Sequence, residues 1–81
     1  MIYKILMPGE GNVDSGIIIK WYVREGDTVD VGDILCEIET SKTVYGLESP
    51  VCGTVNSILR GKDEDDEIPA MEEIAFIKIE A

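Results

Sequence analysis

The sequence contains no histidine. Acid–base chemistry routed through imidazole is therefore excluded. Basic residues are also scarce, with 7 Lys and Arg against 17 Asp and Glu, for a net charge of -10. That balance disfavours nucleic acid and anionic membrane surfaces as partners. It favours solubility and a partner with a basic face. No apolar run approaches the roughly 20 residues that a membrane-spanning helix needs. Cysteine is limited to Cys36 and Cys52, with fifteen residues between them and no further Cys or His to complete a zinc site. No signal peptide is visible, which together with the unpatterned cysteines indicates a reducing compartment. Alternation puts Cys36 on the face of Ile38, and Cys52 opposite Val51, Gly53 and Val55. Both read as small structural thiols.

Helical periodicity is almost absent as well. What recurs is short runs rich in Ile and Val: Ile2–Leu6, Ile17–Val23, Ile34–Glu39, Val44–Glu48, Gly53–Leu59 and Ile74–Ile79. Turn residues punctuate them at Pro8-Gly9, Asp14-Ser15-Gly16, Glu25-Gly26-Asp27, Val31-Gly32-Asp33 and Ser49-Pro50, with an acidic run at Asp63–Glu67. Gly26 and Gly32 read as turn glycines. The acidic run reads as a solvated corner. Strands at this spacing imply one small all-β domain, a sandwich or small barrel, spanning residues 1–81. Trp21 and Tyr22 are adjacent, so one belongs to the core and the other to the surface.

An internal repeat sharpens the expectation. The stretch "EGDTVDVGDILCEI" (Glu25–Ile38) matches "EDDEIPAMEEIAFI" (Glu64–Ile77) at an offset of 39 residues. Val29 aligns with Ile68, Leu35 with Ile74 and Ile38 with Ile77; upstream, Gly16 aligns with Gly53. Two similar halves suggest a quasi-two-fold arrangement. The link between the halves is the region of Lys42, and its counterpart 39 residues away falls at the chain ends, near Tyr3 and Ala81. The termini should then lie together, with Lys42 at the other end.

Around Lys42, Glu37–Thr40 and Val44–Glu48 have the lengths of two paired strands, leaving Thr40-Ser41-Lys42-Thr43 as the hairpin connection. With no Asn-Gly and no glycine at the tip, a type I turn is expected, with Ser41 bonding a nearby backbone amide. A lysine at such a tip sits in water on a flexible stem. An ammonium in that setting holds its proton and is a poor nucleophile. From the turn alone, Lys42 is an ordinary solvated lysine, better suited to carry a group than to do chemistry. No nucleophile or acid–base constellation is visible elsewhere.

Four stretches together resemble a known family: "MPGEG" (Met7–Gly11), "EGDTVDVGDILCEIETSK" (Glu25–Lys42), "ESPVCGTV" (Glu48–Val55) and "IPAMEEIAFI" (Ile68–Ile77). The chain resembles the biotinyl/lipoyl-attachment domains, specifically the lipoyl domains of 2-oxo acid dehydrogenase E2 chains. The resemblance implies a flattened barrel or sandwich of two four-stranded antiparallel sheets with quasi-two-fold symmetry. It also implies lipoate amide-linked to Lys42, flanked by Ser41 and Thr43. In the family, Asp usually precedes that lysine and Ala or Val often follows it. In the biotinyl carriers of carboxylases, methionine stands on both sides; here Met1, Met7 and Met71 are all distant in sequence.

The implied role is that of a non-catalytic swinging-arm carrier. It would accept acyl groups from the thiamin-dependent E1 decarboxylase and pass them to coenzyme A at the E2 acyltransferase core. The E3 dihydrolipoamide dehydrogenase would reoxidise it, and a lipoate ligase or lipoyl transferase would load it. By the same resemblance, the loop between the first two strands helps E1 recognise its partner. Glu10, Asn12 and Asp14 in that loop are candidate contacts, as are Glu39 and Tyr45 near the turn. The expected setting is a bacterial cytoplasm, or a mitochondrial matrix in a eukaryote, with the isolated domain monomeric. A biotinyl carrier and an unmodified structural or binding module are the alternatives.

Overall fold

Eight strands form in chain order, and no helix is present among the described residues of the computed structural model, which are 1–9, 13–61 and 66–79. They are β1 (Ile2–Leu6), β2 (Ser15–Trp21), β3 (Thr28–Val29) and β4 (Ile34–Glu39), then β5 (Val44–Glu48), β6 (Gly53–Ile58), β7 (Glu67–Pro69) and β8 (Glu73–Lys78). They build two four-stranded antiparallel sheets, ordered β1-β8-β6-β3 and β5-β4-β2-β7. The sheets pack as a sandwich around one apolar cluster and do not close into a barrel.

The expected strands are present with small shifts. The strand foreseen from Ile17 starts earlier, at Ser15, because Ser15 and Gly16 pair with Pro69 and Ile68 of β7. Both β3 and β7 are too short to show alternation, which is why hydrophobic patterning did not separate them out.

The repeat is written into the pairing. β3 and β4 map onto β7 and β8 at an offset of 39 residues, and Leu35, Cys36 and Ile38 occupy the buried positions that Ile74, Ala75 and Ile77 occupy in β8. Ile18 pairs with Ile38 as Val55 pairs with Ile77, and a bulge follows in each case. Such a bulge inserts one unpaired residue and bends the strand. Each sheet holds strands from both halves, so the operation that superposes the halves also exchanges the sheets. It is its own inverse, a quasi-two-fold rotation.

The corners obey the same symmetry. The amide of Gly32 donates to the Ser49 carbonyl at 2.8 Å, and the amide of Met71 donates to the Met7 carbonyl at 2.7 Å. Gly32 has φ 93° and Met71 has φ 73°, so the methionine takes the left-handed conformation of its glycine counterpart. The second-half corner keeps its shape there despite losing the glycine. Asp65, the other substituted turn position, lies outside the described residues.

The described ends of the chain meet as the repeat requires: the Ile79 amide donates to the Met1 carbonyl at 2.8 Å, while Ala81 lies outside the described residues. The bond related to it by the quasi-two-fold is Thr40 amide to Thr43 carbonyl, also 2.8 Å. The hairpin of Lys42 therefore lies across the axis from the paired ends. Trp21 packs on the core and donates through Nε1 to the Arg60 carbonyl at 2.9 Å, whereas Tyr22 is exposed.

Candidate functional site

Strands β4 and β5 pair in register up to Glu39 and Val44, so the chain must reverse over Thr40, Ser41, Lys42 and Thr43. The reversal is held by Thr40. Its amide donates to the Thr43 carbonyl, its hydroxyl donates to the same oxygen at 3.2 Å, and that hydroxyl accepts the amides of Lys42 and Thr43, each at 3.2 Å. A Ser or Thr hydroxyl that takes amides two and three residues on is a local substitute for a backbone turn bond. The sequence alone points to Ser41 for this role. Its place in the structure is one residue earlier, because the first residue of the reversal is the one whose side chain can fold back over the tip. Thr40 is half-buried, while Ser41, Lys42 and Thr43 are exposed.

Beside the turn is an open cleft of about 400 Å³. The loop before β2 contributes Asp14, the start of β2 Ser15, the end of β4 Glu39, the turn Thr40 and Ser41, and β7 Glu67. Ser15 Oγ donates to Glu67 at 2.7 Å, and the Asp14 carbonyl accepts the Ala70 amide at 2.8 Å, which fixes the far wall. Gly16 forms the floor: a Cβ there would lie 3.0 Å from the Met7 sulfur and 3.2 Å from Ile38.

Of the candidate recognition residues, Asp14 and Glu39 meet at this cleft. Tyr45 does not line it; it pairs with Ile38 and packs half-buried against the core. Glu10 and Asn12 lie outside the described residues, as do Asp63, Glu64 and Asp65 of the acidic run. Asp66 of that run is held by Arg60, whose Nε and Nη2 donate to its two oxygens at 2.9 and 2.8 Å; Glu72 takes Nη1. Glu67 and Ser15 were not singled out from the sequence, since only the β2–β7 pairing brings residues so distant in the chain together.

The arrangement offers a reachable primary amine on a fixed backbone, with no group of His, Cys, Asp and Glu suited to a metal among the described residues. The two cysteines are free; Cys36 is buried and Cys52 exposed. An acyl group attached to the Lys42 amine would extend into solvent rather than into the core, so the residues present fit a covalently attached arm.

A family described as "Biotin-requiring enzyme" matches residues 3–77. The dihydrolipoyllysine-residue acetyltransferase component of the pyruvate dehydrogenase complex of Staphylococcus epidermidis is 39% identical over 61 residues, covering 73% of this chain and 14% of that protein. The protein of the same description from Staphylococcus aureus matches with the same 39% identity and the same coverage. The chain thus spans about 14% of the length of these relatives. The family match spans most of the chain, which belongs to the lipoyl/biotinyl-attachment domains.

Proposed function

We propose that this chain is a lipoyl carrier domain, modified by lipoate on Lys42, that serves an acyltransferase-containing 2-oxo acid dehydrogenase complex of the pyruvate dehydrogenase kind. The observation that supports it best is the turn itself: an exposed lysine whose backbone is fixed by the Thr40 hydroxyl, across the quasi-two-fold axis from the paired chain ends. The residues beside Lys42 favour lipoate over biotin, because Ser41 and Thr43 stand where biotinyl carriers have methionine.

When attached, lipoate supplies a disulfide that accepts an acyl group together with reducing equivalents and releases the acyl group to a thiol. The chain's own contribution is binding and presentation. Thr40 sets the direction in which Lys42 leaves the surface. A flexible connection at the chain ends would let the opposite end sweep between partner active sites at an effective concentration of roughly millimolar. The domain itself performs no catalysis. Its partners are the E1 decarboxylase, the E2 catalytic core, the E3 flavoprotein and the enzyme that attaches lipoate, in a bacterial cytoplasm.

Expression in a lipoate-supplied host followed by intact-mass measurement tests the reading. One lipoyl group should be gained, and Lys42→Ala should abolish the gain. A streptavidin-reactive product, or lipoate on another lysine, would refute it.

A further inference from the structure

The β7–β8 corner carries a backbone cost that its quasi-two-fold counterpart avoids. Met71 holds φ 73° there, whereas the β3–β4 corner has Gly32 at φ 93°. Among the described residues, Met71 is the one non-glycine residue with a positive φ. A left-handed backbone is unfavourable for an L-residue and open to glycine. Asparagine, whose short side chain can bond locally, is a common substitute; methionine offers no such bond. Packing does not recover the cost. The Met71 side chain is 65% exposed and is not among those packed on the core. Exposure alone decides nothing, since Val31 at the β3–β4 corner is equally exposed without a positive φ.

The two corners sit at opposite ends of the sandwich. Gly32 lies toward the chain ends: its corner follows Val29, which pairs with Gly53, and a Cβ on Gly53 would fall 2.3 Å from the Lys78 carbonyl. Met71 lies at the end that carries Lys42. Its amide donates to the Met7 carbonyl, and the neighbouring Ala70 amide donates to the carbonyl of Asp14, which lines the cleft beside Thr40 and Ser41. Both corners take the same shape, so the fold itself needs no methionine. The strained, exposed thioether stands at the end where a partner approaches the lysine. Strain kept at such a place points to a function that the side chain serves.

We propose that Met71 is a specificity residue: its side chain enters an apolar pocket on the thiamin-dependent decarboxylase that acylates the domain, and so distinguishes this carrier from others in the same cell. This rests on the carrier reading and adds a determinant on the β7–β8 corner. An unbranched thioether side chain adapts to an irregular apolar pocket. The enzyme that attaches lipoate is not the occupant. It needs only the amine and its turn, which every such carrier presents, whereas discrimination requires a feature that carriers do not share.

The test uses the lipoylated chain, verified by mass, as substrate of the thiamin-dependent 2-oxo acid decarboxylase from the same cell. Met71→Gly and Met71→Asn suit the left-handed backbone and remove the apolar side chain, whereas Met71→Leu keeps an apolar side chain at the same backbone cost. The first two should lower kcat/KM for acylation about tenfold, through KM with kcat unchanged, as expected when a contact made equally in ground and transition states is lost. Met71→Leu should stay within about threefold of wild type. The initial rate of lipoate attachment should stay within about twofold for all three. Melting temperatures at or above that of the wild type for Met71→Gly and Met71→Asn separate these effects from misfolding. Equal acylation of wild type and Met71→Gly, a loss in Met71→Leu as large as in Met71→Gly, or a matching loss in attachment would overturn the assignment while leaving the carrier reading intact. A lipoylated wild-type chain that the decarboxylase does not acylate would overturn both.

Discussion

The hydroxyl of Thr40 accepts the amide of Thr43 at 3.2 Å while the amide of Thr40 donates to the carbonyl of Thr43 at 2.8 Å, so one side chain closes the reversal that carries Lys42. Thr40→Val keeps the shape and removes the acceptor. A hydrogen bond of this kind contributes about 1 kcal/mol, which for a domain of this size corresponds to roughly 4–8 °C in melting temperature. The loss of a fixed lysine should be felt more sharply in modification: the initial rate of lipoate attachment should fall on the order of tenfold, and Thr40→Ser should restore it. Time-resolved intact mass beside thermal unfolding measures both. A Thr40→Val domain modified at the wild-type rate would show that the attaching enzyme tolerates a loose turn.

Met71 gives the second prediction. It holds φ 73° in an exposed corner, where a left-handed conformation costs an L-residue roughly 1–2 kcal/mol and glycine almost nothing. The side chain is 65% exposed, so replacing it sacrifices little packing. Met71→Gly should raise stability by about 0.5–1 kcal/mol after allowance for the freer unfolded chain. Gly32→Ala, at the related corner with φ 93°, should lower it. Urea unfolding of both variants checks the pair.

These residues also show what could be read in advance. The repeat was legible because Val29, Leu35 and Ile38 recur as Ile68, Ile74 and Ile77 at one spacing, and burial on a strand requires apolar residues in that pattern. The pairing of the termini followed from the same repeat. Thr40 is accessible in principle, since a threonine that opens a four-residue reversal is a known turn signal, but Ser41, one residue on, offers the same signal. The Ser15–Glu67 bond and the Arg60–Asp66 pair were not legible, because they depend on β2 and β7 being neighbours and on the path of the corner between β6 and β7.

The Arg60–Asp66 pair sets a pH dependence. Hydrogen bonds from the Arg60 guanidinium, aided by its charge, hold the Asp66 carboxyl below the usual carboxylate range. A group whose acidity is strengthened by folding stabilises the fold fully above its unfolded pKa of about 3.9, and the contribution disappears as pH falls through the lower folded value. The stability difference between wild type and Asp66→Asn should therefore be constant near neutral pH and shrink below about pH 4. Arg60→Met should remove the pH-dependent part of that difference. Urea titrations at several pH values measure it; a difference that persists to the lowest pH would show that Asp66 acts through packing rather than charge.

The two cysteines should behave as different species in the unmodified domain. Cys36 is fully buried on β4, and burial pushes its thiol up to about 12 from an ordinary value of 9.0. The thiolate is the reactive form, so the native chain should expose no reactive sulfur at this site. Cys52 is exposed on the segment before β6. A small alkylating reagent near pH 8 should add one group to the folded domain, at Cys52, and a second only in denaturant, with peptide mapping to assign them. The same burial gives an alkaline arm. The raised folded pKa contributes stability that is complete below about pH 9 and is lost as pH rises toward 12. Cys36→Ala, which matches the Ala75 counterpart on β8, should flatten that arm at the cost of a small cavity. Rapid alkylation of both cysteines in the native state would instead mean that β4 opens on the timescale of the reaction, and the edge strand β5 with the Lys42 turn would open with it.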